Sequence, residues 1–337
     1  MPGRAVVIGG CGFIGAPIAR ALLADGWTVD VVTRQTPGPE GTRHLTADRK
    51  DGDALRTAVG ADAEVLVDVI PMDRADGEQL AALSADVGSI VAISSAAVYT
   101  DARGRAILAG PDDPAPALPI PITESQPTAV PGDDGYASRK AAIEAVLRES
   151  ASAPVTILRP SAVFGAGDTA SREWWVVKRI LDGRDRIVTT SSRFHQTDVE
   201  LVADLVRRAA SNPADRVLNA ADAECHPVPE IAEAVAAALG HTWREVRVLD
   251  RPDPESGAGA SPWAASVPIV LDTSAAAEQL GAGEVRPHSE AMAAACRWLV
   301  ESVEGRDWRE VLPRSAQHYS ELFDYAAEDE LLDAPAS

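Results

Sequence analysis

The stretch Ile8-Gly-Gly-Cys-Gly-Phe-Ile-Gly15 decides how this chain folds. It follows the β-branched run Arg4-Ala-Val-Val-Ile8, which reads as a buried strand. It opens a segment, Ile14 to Ala24, in which Ile14, Ile18, Ala21 and Leu22 recur at helical spacing. The glycines satisfy G-x-G-x-x-G through Gly10, Gly12 and Gly15, and G-x-x-G-x-x-G through Gly9, Gly12 and Gly15. Glycines permit a tight turn and close backbone approach. The helix that follows offers unpaired N–H groups and a positive dipole end, which together suit a pyrophosphate. Gly9, Gly12, Phe13, Ile14 and Gly15 are therefore expected to line a dinucleotide, with Cys11 as a small loop residue.

Outward from this loop, short apolar runs alternate with helical patterns. Strands are expected at Thr28–Thr33, Glu64–Ile70, Ser89–Ile93, Val155–Leu158 and Val217–Ala220. Helices are expected at Asp53–Val59, Gln79–Asp86, Tyr136–Ser150, Arg172–Leu181, Val199–Ala210, Pro229–Leu239, Thr273–Leu280 and Glu290–Val300. Such alternation is the signature of βαβ units. The fold class is α/β, a Rossmann doubly wound parallel sheet with a smaller C-terminal α/β substrate-binding lobe. Residues 1–163, with 194–222 returning, form the dinucleotide-binding domain; 164–193 and 223–337 form the lobe. Asp101 to Gly135 reads as a long surface loop, Pro252 to Pro268 as a Gly/Pro/Ser/Ala-rich connection, Glu321 to Asp333 as a solvated acidic face, and the tail after Leu331 as frayed.

Dinucleotide folds usually carry an acidic residue at the end of the second strand, where it holds a ribose 2′-hydroxyl. Here that position is Thr33, followed by Arg34. A missing carboxylate beside an arginine favours a 2′-phosphate, hence NADP, with NAD as the other option.

Composition bounds the partners. Lysine and arginine number 31 against 51 acidic residues, for a net charge of −20. So acidic a surface repels phosphate backbones and anionic lipid, which argues against nucleic acid and membrane partners and for a small-molecule substrate. Cys11, Cys225 and Cys296 are too scattered for a disulfide framework or zinc knuckle, and His226, His241 and His288 lack metal-ligand spacing, so no metal is expected. With no signal-peptide core and no long apolar run, the chain is expected to be soluble and cytoplasmic.

Tyr136-Ala-Ser-Arg-Lys140 puts a phenol and an ammonium four residues apart on one helical face, where the cation favours the phenolate. Ser94-Ser-Ala-Ala-Val-Tyr99 ends the fourth expected strand, at the sheet edge where open α/β folds bind ligands. Ser95 there can hydrogen-bond a carbonyl that Tyr136 protonates.

With these pieces the sequence resembles the extended short-chain dehydrogenase/reductase family, also called the NAD-dependent epimerase/dehydratase family. The matching segments are GGCGFIG at 9–15, Ala47-Asp48, ISSAAVY at 93–99, YASRK at 136–140, LRPSAVFG at 158–165, HQTDV at 195–199 and the Leu271-Asp-Thr-Ser274 to Leu280-Gly281 stretch. The resemblance implies that Ser95, Tyr136 and Lys140 are catalytic, that Asp48 contacts adenine and that Lys140 also holds the nicotinamide ribose. It further implies a homodimer through a helix pair that includes Tyr136–Ser150. Two departures narrow the activity. Family dehydratases carry Thr-Asp-Glu where this chain has Ser95-Ala96-Ala97, which removes the acid and base for elimination. Many nucleotide-sugar members carry asparagine where this chain has Ala162.

The expected function is thus an NADP-dependent reductase of a small-molecule carbonyl. The alternative is an NAD-dependent nucleotide-sugar epimerase, and a second alternative is a non-catalytic dinucleotide sensor. Trp174 and Trp175 are candidates to stack on a substrate ring, with at least one in the core, and Arg193 to clamp an anionic group.

Overall fold

The computed structural model describes residues 3–108, 114–283 and 285–334. Residues 109–113 of the expected long loop and the last three of the expected tail lie outside these. In chain order the first elements are β1 (Arg4–Ile8), α1 (Gly15–Ala24), β2 (Thr28–Thr33), β3 (Arg43–Thr46), α2 (Gly52–Val59) and β4 (Val65–Asp68). Next come α3 (Arg74–Leu83), β5 (Ile90–Ile93), α4 (Gly135–Ser150), β6 (Val155–Pro160), β7 (Ala162–Phe164), α5 (Trp174–Leu181) and β8 (Arg186–Thr190). They are followed by β9 (Gln196–Asp198), α6 (Val199–Ser211), β10 (Arg216–Ala220), α7 (Val228–Ala238) and β11 (Glu245–Leu249). The last are α8 (Ser274–Leu280), α9 (His288–Val303), α10 (Trp308–Val311), α11 (Pro313–Tyr319) and α12 (Ala326–Asp333).

The chain divides into two compact units: 1–161 with 199–223 and 271–285, and 162–198 with 224–270 and 286–337. These boundaries depart from the expected ones in two places. The segment 194–198 stays with the second unit because β9 pairs in parallel with β7. Residues 271–285 belong to the first because α8 packs on β10 and α6.

The first unit is built on a seven-stranded sheet in the order β10-β6-β5-β4-β1-β2-β3. Its pairings are parallel throughout, for example Val6 opposite Asp30 on β2 and opposite Leu66 on β4. Parallel strands buried on both faces need apolar residues at nearly every position, and Ala5 through Ile8 and Val65 through Val67 are almost fully inaccessible. One face packs Val6, Ile8, Leu66, Ile90 and Ile157 against Leu55, Leu80, Leu83, Ile143 and Leu147 of α2, α3 and α4. The edge strand β3 escapes sequence reading because Arg-His-Leu-Thr is short and polar, as an exposed edge tends to be. Helix α3 begins at Arg74, five residues before its apolar periodicity, because the Asp73 side chain accepts the Asp76 N–H and caps a polar first turn. The order of strands reverses between β1 and β4, so the ligand crevice of such a sheet lies beyond Ile8 and Asp68.

The second unit holds two small parallel pairs, β8 with β11 and β7 with β9, among helices. Its core is rich in tryptophan: Trp174, Trp175, Trp243, Trp263 and Trp308 pack with Phe164, Val177, Ile231, Met292 and Leu299. The acidic C-terminal stretch is not the solvated face expected. Glu328 on α12 is 3% exposed; its carboxylate accepts the Val188 N–H at 2.7 Å and an Arg179 N–H at 3.2 Å. A buried arginine on α5 needs an anion, and α12 supplies it. Among the described residues no helix is long and apolar enough to cross a membrane.

Candidate active site

The glycine loop is shaped by contacts that a side chain would destroy. A Cβ at Gly15 would lie 2.2 Å from the Gly9 carbonyl oxygen, and Gly9 itself sits at φ +82°, in the left-handed region. Gly12 is the opposite case: a Cβ there would meet only the Gly9 oxygen, at 3.6 Å, so it faces open space. The turn is closed by Gly12 N–H donating to Gly9 and by Ala16 N–H donating to Gly12. Among the described residues, no backbone carbonyl accepts the amides of Phe13, Ile14 or Gly15. Unspent donors at a helix N-terminus beside an open glycine fit a pyrophosphate.

At the end of β2 the Thr33 hydroxyl donates to the Thr36 carbonyl at 2.5 Å and lies 2.7 Å from Nε2 of His44. Arg34 is exposed. Asp48 is exposed as well, its carboxylate accepting only the Lys50 N–H, at 2.9 Å, among the described bonds.

Ser95 follows β5, half-buried, and caps a short 3₁₀ turn by accepting the Ala97 N–H at 3.2 Å. This leaves its hydroxyl proton for another acceptor. Its neighbour Ser94 points the other way, donating to Glu144 on α4 at 2.5 Å. The serine pair thus splits into a half-buried Ser95 that caps a turn and a Ser94 built into the interior.

Helix α4 begins at Gly135, so Tyr136 stands in its first turn with 41% of its surface exposed, while Lys140, one turn on, is 3% exposed. The Lys140 ammonium lies 5.8 Å from the Tyr136 ring centroid. It donates to the carbonyls of Pro71 at 2.6 Å and Ile93 at 3.1 Å. Burial pulls its pKa down from 10.5 to about 8, against the opposing pull of the Asp68 and Glu144 charges.

Several neighbouring residues that the sequence reading does not single out join this arrangement. Arg159 on β6 forms a bidentate pair with Glu144, at 3.0 and 2.5 Å, and stacks 4.9 Å from the Tyr99 ring. The Tyr99 hydroxyl donates to Asn219 Oδ1 at 2.5 Å, and burial pushes its pKa up to about 12. Asn219 in turn donates to the carbonyls of Ile122 and Asp272, both at 3.0 Å. This network fastens α4 to β6, β10, the segment after β5 and the long loop. Tyr136, Lys140 and Glu144 share one helical face at four-residue spacing, and that was the signal available for Glu144.

The second unit gives a different answer for its candidates. Trp174 is 2% and Trp175 0% exposed. Trp174 packs 5.6 Å from the Trp308 ring, and Trp175 lies edge-on to Trp263 at 6.4 Å with Arg179 stacked at 4.1 Å. Both are core residues, so the expectation that one stacks on substrate is corrected: their helix α5 turns both indoles inward. Arg193 is exposed and donates to the Cys225 carbonyl at 3.4 Å. Cys225 and Cys296 are free thiols that burial pushes up to about 11 and about 12. Among the described residues no cluster of His, Cys, Asp or Glu could hold a metal ion.

With this geometry in place, comparison with known proteins identifies the class. The family model described as "NAD dependent epimerase/dehydratase family" matches residues 5–221. The chain belongs to that family, the extended short-chain dehydrogenase/reductases, and is an NAD(P)-dependent enzyme of this type. Among solved structures it is similar to the Bordetella bronchiseptica enzyme WbmH in complex with NAD+, with 20% identity and TM-score 0.67 over 88% of this chain and 98% of that one. It is similar to the Methanobrevibacter ruminantium M1 UDP-N-acetylglucosamine 4-epimerase in complex with UDP-N-acetylmuramic acid, with 19% identity and TM-score 0.67 over 89% and 99%. A third is the Thermus thermophilus UDP-glucose 4-epimerase complex with NAD, with 20% identity and TM-score 0.65 over 88% and 98%. No curated protein sequence matches significantly.

Proposed function

We propose that this enzyme interconverts a secondary alcohol and a carbonyl on a small-molecule substrate, with Tyr136 as the acid–base residue. The observation that carries this is the gathering of Ser95, Tyr136, Lys140 and the glycine loop on the C-terminal edge of one parallel sheet. The loop residues Gly9, Gly12, Phe13, Ile14 and Gly15 hold the pyrophosphate, Thr33 and Arg34 the adenosine ribose, Asp48 the adenine, and Lys140 the nicotinamide ribose. When bound, the nicotinamide supplies or takes the hydride. Tyr136 gives a proton to the substrate oxygen, or takes it, at its phenolic oxygen. Ser95 donates its free hydroxyl proton to the same oxygen and so orients it. Lys140, fixed by the Pro71 and Ile93 carbonyls, keeps a positive charge beside the phenol. Ala96 and Ala97 carry no acid or base, which argues against a dehydratase.

Within this chemistry the first reading is a nucleotide-sugar epimerase that oxidises and re-reduces one carbon while keeping its NAD. It is supported by similarity to NAD-bound and UDP-sugar proteins that this chain matches over nearly their whole length. A second reading, an NADP-dependent reductase with exchangeable cofactor, draws on Thr33 and the exposed Arg34 where a ribose-binding carboxylate would stand. The test is to denature purified protein, identify the released dinucleotide by mass spectrometry, and titrate native protein with NADH and NADPH. Stoichiometric NAD that survives purification supports the epimerase. Empty protein that prefers NADPH supports the reductase.

A further inference from the structure

The segment that follows β4, Ile70-Pro-Met72, shows two large apolar side chains to solvent, Ile70 at 43% and Met72 at 45% exposure. Ile70 also packs on the glycine loop: a Cβ at Gly9 would lie 3.1 Å from its Cγ2. Apolar groups held outward at a ligand-binding edge need something that holds them there. Each of the three residues is tied by a side chain from a different element. Asp68, at the end of β4, accepts the Ile70 N–H at 2.9 Å. Lys140, on α4, donates to the Pro71 carbonyl at 2.6 Å. Asp76, on α3, accepts the Met72 N–H at 2.8 Å.

Two of these anchors are buried carboxylates, Asp68 at 0% and Asp76 at 2% exposure, and a single guanidinium joins them. Arg49 donates through Nη1 to both Asp68 oxygens, at 2.9 and 2.8 Å, and through Nε to Asp76 at 3.0 Å. Lys50 adds a second cation to Asp76 at 2.8 Å. Arg49 directly follows Asp48, the residue assigned to adenine. Buried ion clusters contribute little net stability beside well-packed apolar groups, so their presence asks for another reason, and fixing one geometry is the best attested.

We propose that Arg49 is a positioning residue: with Asp68 and Asp76 it locks the 70–72 segment against the glycine loop and couples the adenine side of the dinucleotide seat, at Asp48, to its nicotinamide side, at Lys140. This rests on the reading of the seat given under Proposed function. Arg49 does not touch the reacting atoms; it acts through the backbone that Lys140 and the two aspartates grip. The coupling makes a specific demand. A fragment that fills only the adenine and pyrophosphate part loses less when Arg49 is removed than the whole dinucleotide, because only the latter uses the Lys140 end.

The test compares the full-length wild type with R49M, R49K and the double variant R49M/D68N, which removes both charges. Dissociation constants for NADH, NADPH and ADP are measured well below each variant's melting temperature, which is recorded in parallel. R49M is expected to weaken the preferred dinucleotide by about 10- to 100-fold, a one- to two-decade change in the binding constant, and ADP, which ends at the pyrophosphate, by clearly less. R49K is expected to recover part of the loss. The double variant regains thermal stability without regaining affinity, and where R49M does not fold it carries the same comparison. The inference is overturned when wild type binds dinucleotide and the folded variants bind it equally well, or when the double variant restores both stability and affinity, since the triad is then only a structural clamp. A wild type that binds neither NADH nor NADPH overturns the seat itself, and the inference with it.

Discussion

The two units bury charge for different ends. In the first, the buried groups Lys140, Glu144, Arg159 and Asp68, with the partly buried Arg49, accompany an exposed phenol and an open glycine loop. In the second, Arg179 with Glu328, and Glu173 with Ser171 and Gln196, sit within a tryptophan-rich core. On the proposed function the first unit's buried charges support a reacting group, whereas those inside the helical core stitch chain segments together. Burial acts on pKa in the same direction in both units, disfavouring the charged form of Asp68 as of Glu173, and of Lys140 as of Arg179. Burial lowers the Lys140 pKa to about 8, but raises Glu173 to about 7 and Asp168 to about 6.

The largest effect should fall on catalysis and spare the fold. Tyr136→Phe is expected to lower turnover by at least about 100-fold, the usual scale of a lost acid–base group, while dinucleotide affinity and melting temperature stay near wild type. A retained rate in that variant would remove the distinction between the units at its root. Glu328→Ala is the mirror image. It leaves Arg179 buried without its anion and should cost about 3–5 kcal/mol of stability by denaturant unfolding, with dinucleotide affinity unchanged at temperatures where the variant is folded.

The pH predictions come next in size. Between about 4.5 and 7 the folded protein holds a proton on Glu173 that the unfolded chain has released, so this group makes stability fall as pH rises through that window. Glu173→Gln should therefore be the more stable protein at pH 8, by on the order of 2–3 kcal/mol. Between about 8 and 10.5 the unfolded chain keeps the Lys140 proton that the folded protein has lost, so stability rises with pH. The difference in melting temperature between wild type and Lys140→Met, followed from pH 7.5 to 10, should show that rise. A flat difference would mean that Lys140 is better solvated than its burial implies. The smallest effect concerns Arg34: its change to alanine should weaken NADPH about 10-fold and leave NADH alone if a 2′-phosphate sits there, and should change neither if the enzyme is an NAD-retaining epimerase.

The same contrast explains what could be read from the sequence. The glycine loop, the parallel strands and the Tyr136–Lys140 spacing were legible because backbone geometry and helical period impose fixed residue types at fixed intervals. The capped first turn of α3 and the edge strand β3 were missed because neither carries an apolar period. Arg49, Asp68, Glu144 and Arg159 meet only through the fold, across 15 to 19 residues of chain. In the second unit Trp263 lies in a Gly/Pro/Ser-rich stretch that reads as a linker, yet it is fully buried. Its partner Trp175 comes from a distant segment, as does Trp308, which packs on Trp174, so no local pattern distinguishes a core indole from one awaiting substrate.

The most direct measurement is hydrogen–deuterium exchange on the full-length protein, with and without saturating NADH or NADPH. The account predicts slowed exchange at residues 9–16, 47–50, 69–73 and the first turns of α4, in the presence of whichever dinucleotide binds. Binding that leaves the glycine loop and the 69–73 segment unprotected would contradict it.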